Sequence, residues 1–168
     1  MYLGTFSKTL APGLRLGWIV CPEVLMDRFV KAKQGADLHT GTFAQHVIND
    51  ICQRGFLRAH VDRLRVVYKE RRDTMLDALA EFWPAGCSWT RPLGGLFLWA
   101  RVPEKINTTD FLQERALKKK VAYVPGVNFY PNADGGFDAM RLNLSYSPPE
   151  LIVEGIQRLG QALKEELR

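Results

Sequence analysis

The sequence predicts an α/β chain that ends in a compact α+β unit, and three observations carry that expectation. A long stretch from about Leu57 to Phe82 keeps apolar residues (Leu57, Val61, Leu64, Tyr68, Met75, Leu79, Phe82) at spacings of three, four or seven, the repeat of an amphipathic helix. Beyond it, Leu96–Val102 and Ala139–Ser145 are strand-like, the second alternating Met140, Leu142 and Leu144 with Arg141, Asn143 and Ser145. Between and after these strands lie helical patterns, so sheet and helices share one core.

The elements follow in order. Met1–Phe6 and Leu16–Val20 have the character of short strands, the second ended by Cys21-Pro22. A helix is expected from about Pro22 to Gly35, with Val24, Leu25, Phe29 and Val30 on one side. A second helix carries Val47, Ile48, Ile51 and Cys52 and stops near Gly55. Pro84 and Gly86 end the long helix, and Gly94-Gly95 introduces the strand Leu96–Val102. A helix over Thr108–Lys119 and a strand Val121–Val124, broken by Pro125-Gly126, come next. The last helix is expected to start with Ser147 as N-cap, Pro148 at the first helical position and Glu150 completing a capping box, and to bury Ile152, Ile156, Leu159, Leu163 and Leu167.

Composition narrows the function classes. Of 168 residues, 46% are apolar and 24% charged, which suits a packed domain and not a disordered one. No apolar run reaches the roughly 20 residues that span a bilayer, and the N-terminus does not have the pattern of a secretory signal, so a cytoplasmic protein with no membrane partner is expected. Cys21, Cys52 and Cys87 are odd in number and far apart, which speaks against a disulfide framework, and the three histidines have no metal-ligand spacing, so no metal is expected. The net charge of +5 is concentrated in Arg54, Arg58, Arg63, Arg65, Lys69, Arg71 and Arg72, with Lys118–Lys120 further on. Asp62, Glu70 and Asp73 interleave with the first group, as on a solvated helix face, so nucleic acid is not the expected partner of this region.

One segment concentrates reactive groups: Thr5-Phe6-Ser7-Lys8-Thr9-Leu10-Ala11-Pro12-Gly13-Leu14-Arg15-Leu16-Gly17-Trp18. A lysine amine can form an imine with an aldehyde cofactor. Hydroxyls and a planar guanidinium are natural donors to a phosphate dianion. By composition alone Lys8 and Arg15 are more readily read as surface cations in a turn.

The whole string closely resembles the cofactor motif of the pyridoxal-phosphate-dependent aminotransferases of fold type I, classes I and II, in the variant typical of 2-aminoadipate/kynurenine-type enzymes and MocR-type regulators. The likeness continues through Ala32-Lys33-Gln34 with Asp37–Thr40, Gly94-Gly95-Leu96-Phe97-Leu98-Trp99, Val124-Pro125-Gly126 with Phe129, and Met140-Arg141-Leu142-Asn143. It implies the C-terminal part of the aspartate-aminotransferase-like fold. Residues 1–55 would be a remnant of the large cofactor domain, 56–86 an interdomain helix, and 87–168 the small α+β domain.

The resemblance also implies roles. Lys8 would be the Schiff-base lysine of pyridoxal 5'-phosphate and the base of the proton transfer. Thr5, Ser7 and Arg15 would hold the phosphate, and Arg141 would clamp the substrate carboxylate. Thr40 and Thr42 would reach the phosphate of a partner subunit in a homodimer. The reaction would be amino transfer between an amino acid and a 2-oxo acid; the alternative is the effector-binding region of a MocR-type transcription regulator. In the family, the aspartate that partners the pyridine nitrogen, a tyrosine and the ring-stacking aromatic precede the lysine strand. Only seven residues precede Lys8 and none is acidic, so the chain is expected to be the C-terminal portion of a larger architecture with little activity alone. Tyr123, Phe129 and Tyr130 would suit either a bulky substrate side chain or core packing.

Overall fold

The computed structural model describes all residues, 1–168. The chain forms two compact units, Met1–Arg65 and Val66–Arg168.

The first unit opens with an antiparallel hairpin of β1 (Tyr2–Thr5) and β2 (Gly17–Val20), in which Gly4 faces Trp18. Trp18 lies across the strand onto Gly4, where a Cβ would come within 2.3 Å of its ring, and tilts against Tyr2 at 5.3 Å. Helix α1 (Glu23–Asp37) follows, with Pro22 as its N-cap and Leu38 leaving it at a positive φ of 67°. The sequence places its end two residues too early, because Gly35 does not break the last turn. Helix α2 (Thr42–Gln53) stops before Gly55, whose φ of +75° turns the chain into α3 (Phe56–Phe82). In the first unit Ile48 is the one fully buried apolar residue, while Tyr2, Leu3, Trp18, Ile19, Val24 and Phe43 stay exposed.

The second unit holds the main core. Strands β3 (Ser88–Trp89), β4 (Phe97–Arg101), β5 (Val124–Pro125) and β6 (Ala139–Asn143) form one antiparallel sheet in the order β3-β4-β6-β5. The alternation in β6 appears as expected: Met140 and Leu142 join Leu98 and Ala100 of β4 on the buried face. That face packs on Met75, Ala78 and Leu79 of α3 and on Ile152, Ile156, Leu159 and Leu163 of α5 (Pro149–Glu166). Arg72 braces α3 to the loop before β4, donating to the carbonyls of Pro92 and Leu93 as well as to Asp73.

Three elements of the second unit differ from the sequence expectation. The helix over Thr108–Lys119 is composite: one α-turn (α4, Thr108–Phe111, capped by Asn107), a π-helical turn Leu112–Ala116, and a 3-10 turn Leu117–Lys119. The widened turn buries both Phe111 and Ala116, five residues apart, a spacing that a straight α-helix does not bring to one face. The expected strand Val121–Val124 shrinks to Val124–Pro125, because Val121 donates back to the Ala116 carbonyl and β6 offers partners only from Val124 onward. Helix α5 begins at Pro149 with Pro148 as N-cap, and Ser147 makes no capping bond: it stands one residue too far out. Of the basic stripe on α3, Arg58, Arg63, Arg65 and Lys69 form a solvated face, whereas Arg71 and Arg72 are partly buried, Arg71 donating to the Ser145 carbonyl. Arg65 pairs with Asp62, Lys69 and Arg72 with Asp73, and Arg54 of α2 with Asp50, and the exposed pairs among them add little to stability.

Candidate functional site

In the first unit the reactive segment is the connection between β1 and β2. Its base is closed by the Phe6 amide donating to the Leu16 carbonyl at 3.1 Å. Phe6 in turn accepts from the amides of Leu10 and Ala11, at 2.8 and 3.1 Å, so residues Phe6–Ala11 wind into one tight turn with Ser7 and Lys8 on it. The 3-10 turn Pro12–Leu14 follows, begun by a proline whose fixed φ suits it. Leu10 lines a shallow depression together with Ile51, Phe56, Ala59, His60 and Arg63 of the same unit.

The structure places Thr5, Ser7, Lys8 and Arg15 on this one loop, in unequal states. The Thr5 hydroxyl braces the loop: it accepts from the Ser7 amide at 3.1 Å and donates to the Leu16 carbonyl at 3.3 Å. Its single proton is thereby directed inward. The Ser7 hydroxyl and the Lys8 ammonium have no partner within the chain. Arg15 stands in the left-handed region (φ 50°, ψ 38°), which costs a non-glycine residue about 1 kcal/mol, and its guanidinium reaches only the Pro12 carbonyl at 3.2 Å. Residues 1–22 contain no carboxylate. An amine, one free hydroxyl and a guanidinium with no carboxylate among them are a donor set suited to a phosphate ester that also carries an aldehyde.

In the second unit Arg141 lies at the centre of β6, opposite Trp99 of β4 and Val124 of β5. Facing pairs share one side of an antiparallel sheet, so Arg141, Trp99, Phe97 and Asn143 occupy the side away from the core. No acidic residue pairs with Arg141, in contrast to Arg101 two positions along the same face, which is held by both oxygens of Asp138. Its guanidinium carbon instead stands 4.0 Å from the Phe97 ring centre and 4.9 Å from that of Phe129. Its Nε is buried without a hydrogen-bond partner. A buried donor without a partner costs about 1–3 kcal/mol, so the fold carries Arg141 here at a cost in stability.

Of the three aromatics named from the sequence, Phe129 stands at the Arg141 face, 43% exposed and edge-on to Trp99 at 5.3 Å. Tyr123 is core: its hydroxyl donates to the buried Thr108 carbonyl at 2.6 Å. Tyr130 covers Gly135 and Gly136. Phe97 and Trp99 are visible in the sequence only as part of a strand; their place beside Arg141 depends on a pairing across more than forty residues.

The sequence profile for aminotransferases of class I and II matches residues 1–159. The chain belongs to the class I and II aminotransferase family. Aromatic-amino-acid aminotransferase 1 of Thermococcus litoralis is 48% identical over 168 residues, covering all of this chain and 40% of that protein. The kynurenine aminotransferase of Pyrococcus horikoshii superposes with a TM-score of 0.94 at 47% identity, over 99% of this chain and 41% of that one. The α-aminoadipate aminotransferase of Thermus thermophilus, solved with N-(5'-phosphopyridoxyl)-L-leucine, gives 0.92 at 41% identity, over 99% and 42%. A helix-turn-helix-type transcriptional regulator of Bacillus subtilis is also similar, at 33% identity over 165 residues, 98% of this chain and 33% of that protein. The chain thus spans about two fifths of the aminotransferases it matches. Its architecture is that of the C-terminal part of the aspartate-aminotransferase-like fold, as the sequence led us to expect.

Proposed function

We propose that this chain contributes the cofactor lysine and the substrate-carboxylate arginine of a pyridoxal-phosphate-dependent aminotransferase acting between an amino acid and a 2-oxo acid. The observation that carries the reading is the β1–β2 loop, which gathers an unpaired amine, a free hydroxyl and a guanidinium with no carboxylate among them. Family membership and the phosphopyridoxyl compound in the Thermus thermophilus relative support the same cofactor here.

When bound, the cofactor supplies an electron-withdrawing ring that stabilises charge at the substrate's α-carbon. Lys8 would hold the cofactor by its aldehyde, and its Nζ, once freed by the substrate's amine, would carry the transferred proton. Ser7 and Arg15 donate to the phosphate, the arginine as a planar fork. Thr5 keeps the loop closed, and its hydroxyl joins the phosphate donors only by releasing Leu16. Arg141 orients the substrate by its α-carboxylate, fixing the reacting carbon. A homodimer in the cytoplasm, with Thr40 and Thr42 directed to the partner's phosphate, belongs to the same proposal.

The test is to mix the chain with pyridoxal phosphate, reduce with borohydride and map the labelled peptide. One dominant adduct on Lys8, lost in Lys8→Ala, is the expected result. Labelling spread over surface lysines and unchanged by Lys8→Ala would remove the assignment. The second reading, a ligand-sensing region of a MocR-type regulator, is favoured by the similarity to the Bacillus subtilis regulator, but at 33% identity against 41–48% for the aminotransferases. Amino transfer from an amino acid to 2-oxoglutarate by the protein containing this chain separates the two.

A further inference from the structure

We infer that Phe97 and Phe129 are positioning residues that hold the Arg141 guanidinium in place of an acidic partner, keeping the clamp rigid but unneutralised. The inference rests on Arg141 being the carboxylate clamp.

An arginine that must bind a carboxylate faces conflicting demands. A protein carboxylate beside it would fix the guanidinium but compete with the substrate, whereas a free arginine would lose rotamer freedom on each binding event. Two aromatic faces meet both demands, because a ring attracts the cation over its face yet occupies none of its N–H donors. The sheet shows both solutions side by side. Arg101 is held by Asp138, its Nη1 engaged by both carboxylate oxygens at 2.7 and 2.8 Å. Arg141, on the same face, has rings at 4.0 and 4.9 Å and a buried Nε without an acceptor.

The two rings come from separate elements, which makes the arrangement a built one. Phe97 opens β4 and is diagonal to Arg141 across the β4–β6 ladder. Phe129 ends the 3-10 turn Gly126–Phe129 that follows β5, and Trp99 meets it edge-on at 5.3 Å. Trp99 therefore sets Phe129, and Phe129 with Phe97 sets Arg141. The same rings form an apolar wall beside the clamp, so the side chain of a bound oxo acid would meet aromatic surface there.

The experiment uses the full chain labelled with nitrogen-15 in arginine, with the Arg141 Nε–Hε signal assigned by its loss in Arg141→Lys. The probes are 2-oxoisocaproate and methyl isobutyl ketone, which has a methyl in place of the carboxylate. The wild-type signal should be displaced by the ring currents of Phe97 and Phe129 and should move with the oxo acid but not with the ketone. Phe97→Leu and Phe129→Leu should each lose that displacement and bind the oxo acid about three- to tenfold more weakly, the range of a partly desolvated cation–ring contact. Phe129→Tyr should restore both, and backbone amide spectra should show the fold retained in all variants. Unchanged affinity in both leucine variants, with Arg141 still responding to the oxo acid, would overturn the positioning role and leave the clamp intact. No response of Arg141 to the oxo acid in the wild type would overturn the clamp itself, and the inference with it.

Discussion

Gly126→Ala tests how tightly the Arg141 face depends on the turn that carries Phe129. A Cβ at this position would lie 2.5 Å from the Gly136 carbonyl oxygen, 2.7 Å from the Ala139 Cβ and 2.9 Å from the Ala139 carbonyl oxygen. These neighbours cannot swing aside: one is the first residue of β6 and another lies at Gly136, whose φ of +71° fixes the returning loop. Ordinary contact begins near 3.4 Å, so the two backbones must separate by several tenths of an ångström. Overpacking of this kind costs about 1–3 kcal/mol, and a loss near 2 kcal/mol lowers the melting midpoint of a chain this size by roughly 4–8 °C. The separation also withdraws the turn and moves Phe129 off Arg141. Thermal unfolding followed by far-ultraviolet circular dichroism measures the first effect, and the Arg141 Nε–Hε signal the second. Gly155→Ala is the control: it stands in α5 with nothing near its Cβ position, so the same substitution should stabilise by about 0.5–1 kcal/mol through helix propensity alone. A Gly126→Ala chain that melts within a degree of wild type would refute the packing argument.

Two further outcomes follow from the second unit. Burial pushes the Cys87 thiol up to about 11 from 9.0 and the Tyr123 phenol well above its ordinary 10.0. Both groups keep their proton longer in the folded state than in the unfolded one, so their contribution is intact below pH 9 and is lost progressively from pH 9 to above 11. Urea midpoints measured from pH 8 to 11 should fall, and the fall should flatten in a Cys87→Ala, Tyr123→Phe double variant. Arg141→Met should leave the melting point unchanged or raise it by a few degrees, because it removes a half-buried charge whose Nε has no partner, while oxo acid binding is lost. A fall as large as that of Gly126→Ala would mean that Arg141 serves the fold.

What the sequence made legible were the elements whose pattern is long or strictly periodic. α3 and α5 can be located to within a residue or two because their apolar spacing repeats over many turns, and β6 because alternation has a period of two. The composite segment after Thr108 was opaque for a definite reason. Leu112 and Ala116 keep an α-helical spacing while Phe111 and Ala116 fit a π-helical one, and the choice is made by what they pack against. Ser147 shows the same limit on a smaller scale, since two prolines in succession let the helix begin at either. At the site, Lys8, Thr5, Ser7 and Arg15 are local in sequence and could be read together. The rings around Arg141 could not, because Phe97 and Phe129 lie 44 and 12 residues before it and meet it only through the sheet and the turn beside it.

Departures from local rules separate into two kinds, and the difference bears on function. Lys120, at φ 59°, ends a helical segment, where a left-handed residue closes the turn and releases carbonyls to the following chain. Leu38 leaves α1 in a similar place. Arg15 is a third case of this kind: it closes the 3-10 turn Pro12–Leu14 in the left-handed region, its amide donating to the Pro12 carbonyl. Arg141 is different, because it buries a donor that nothing in the chain accepts. A fold selected for stability alone would place an apolar residue there. Arginine at this position is accounted for if its guanidinium binds a carboxylate from outside the chain.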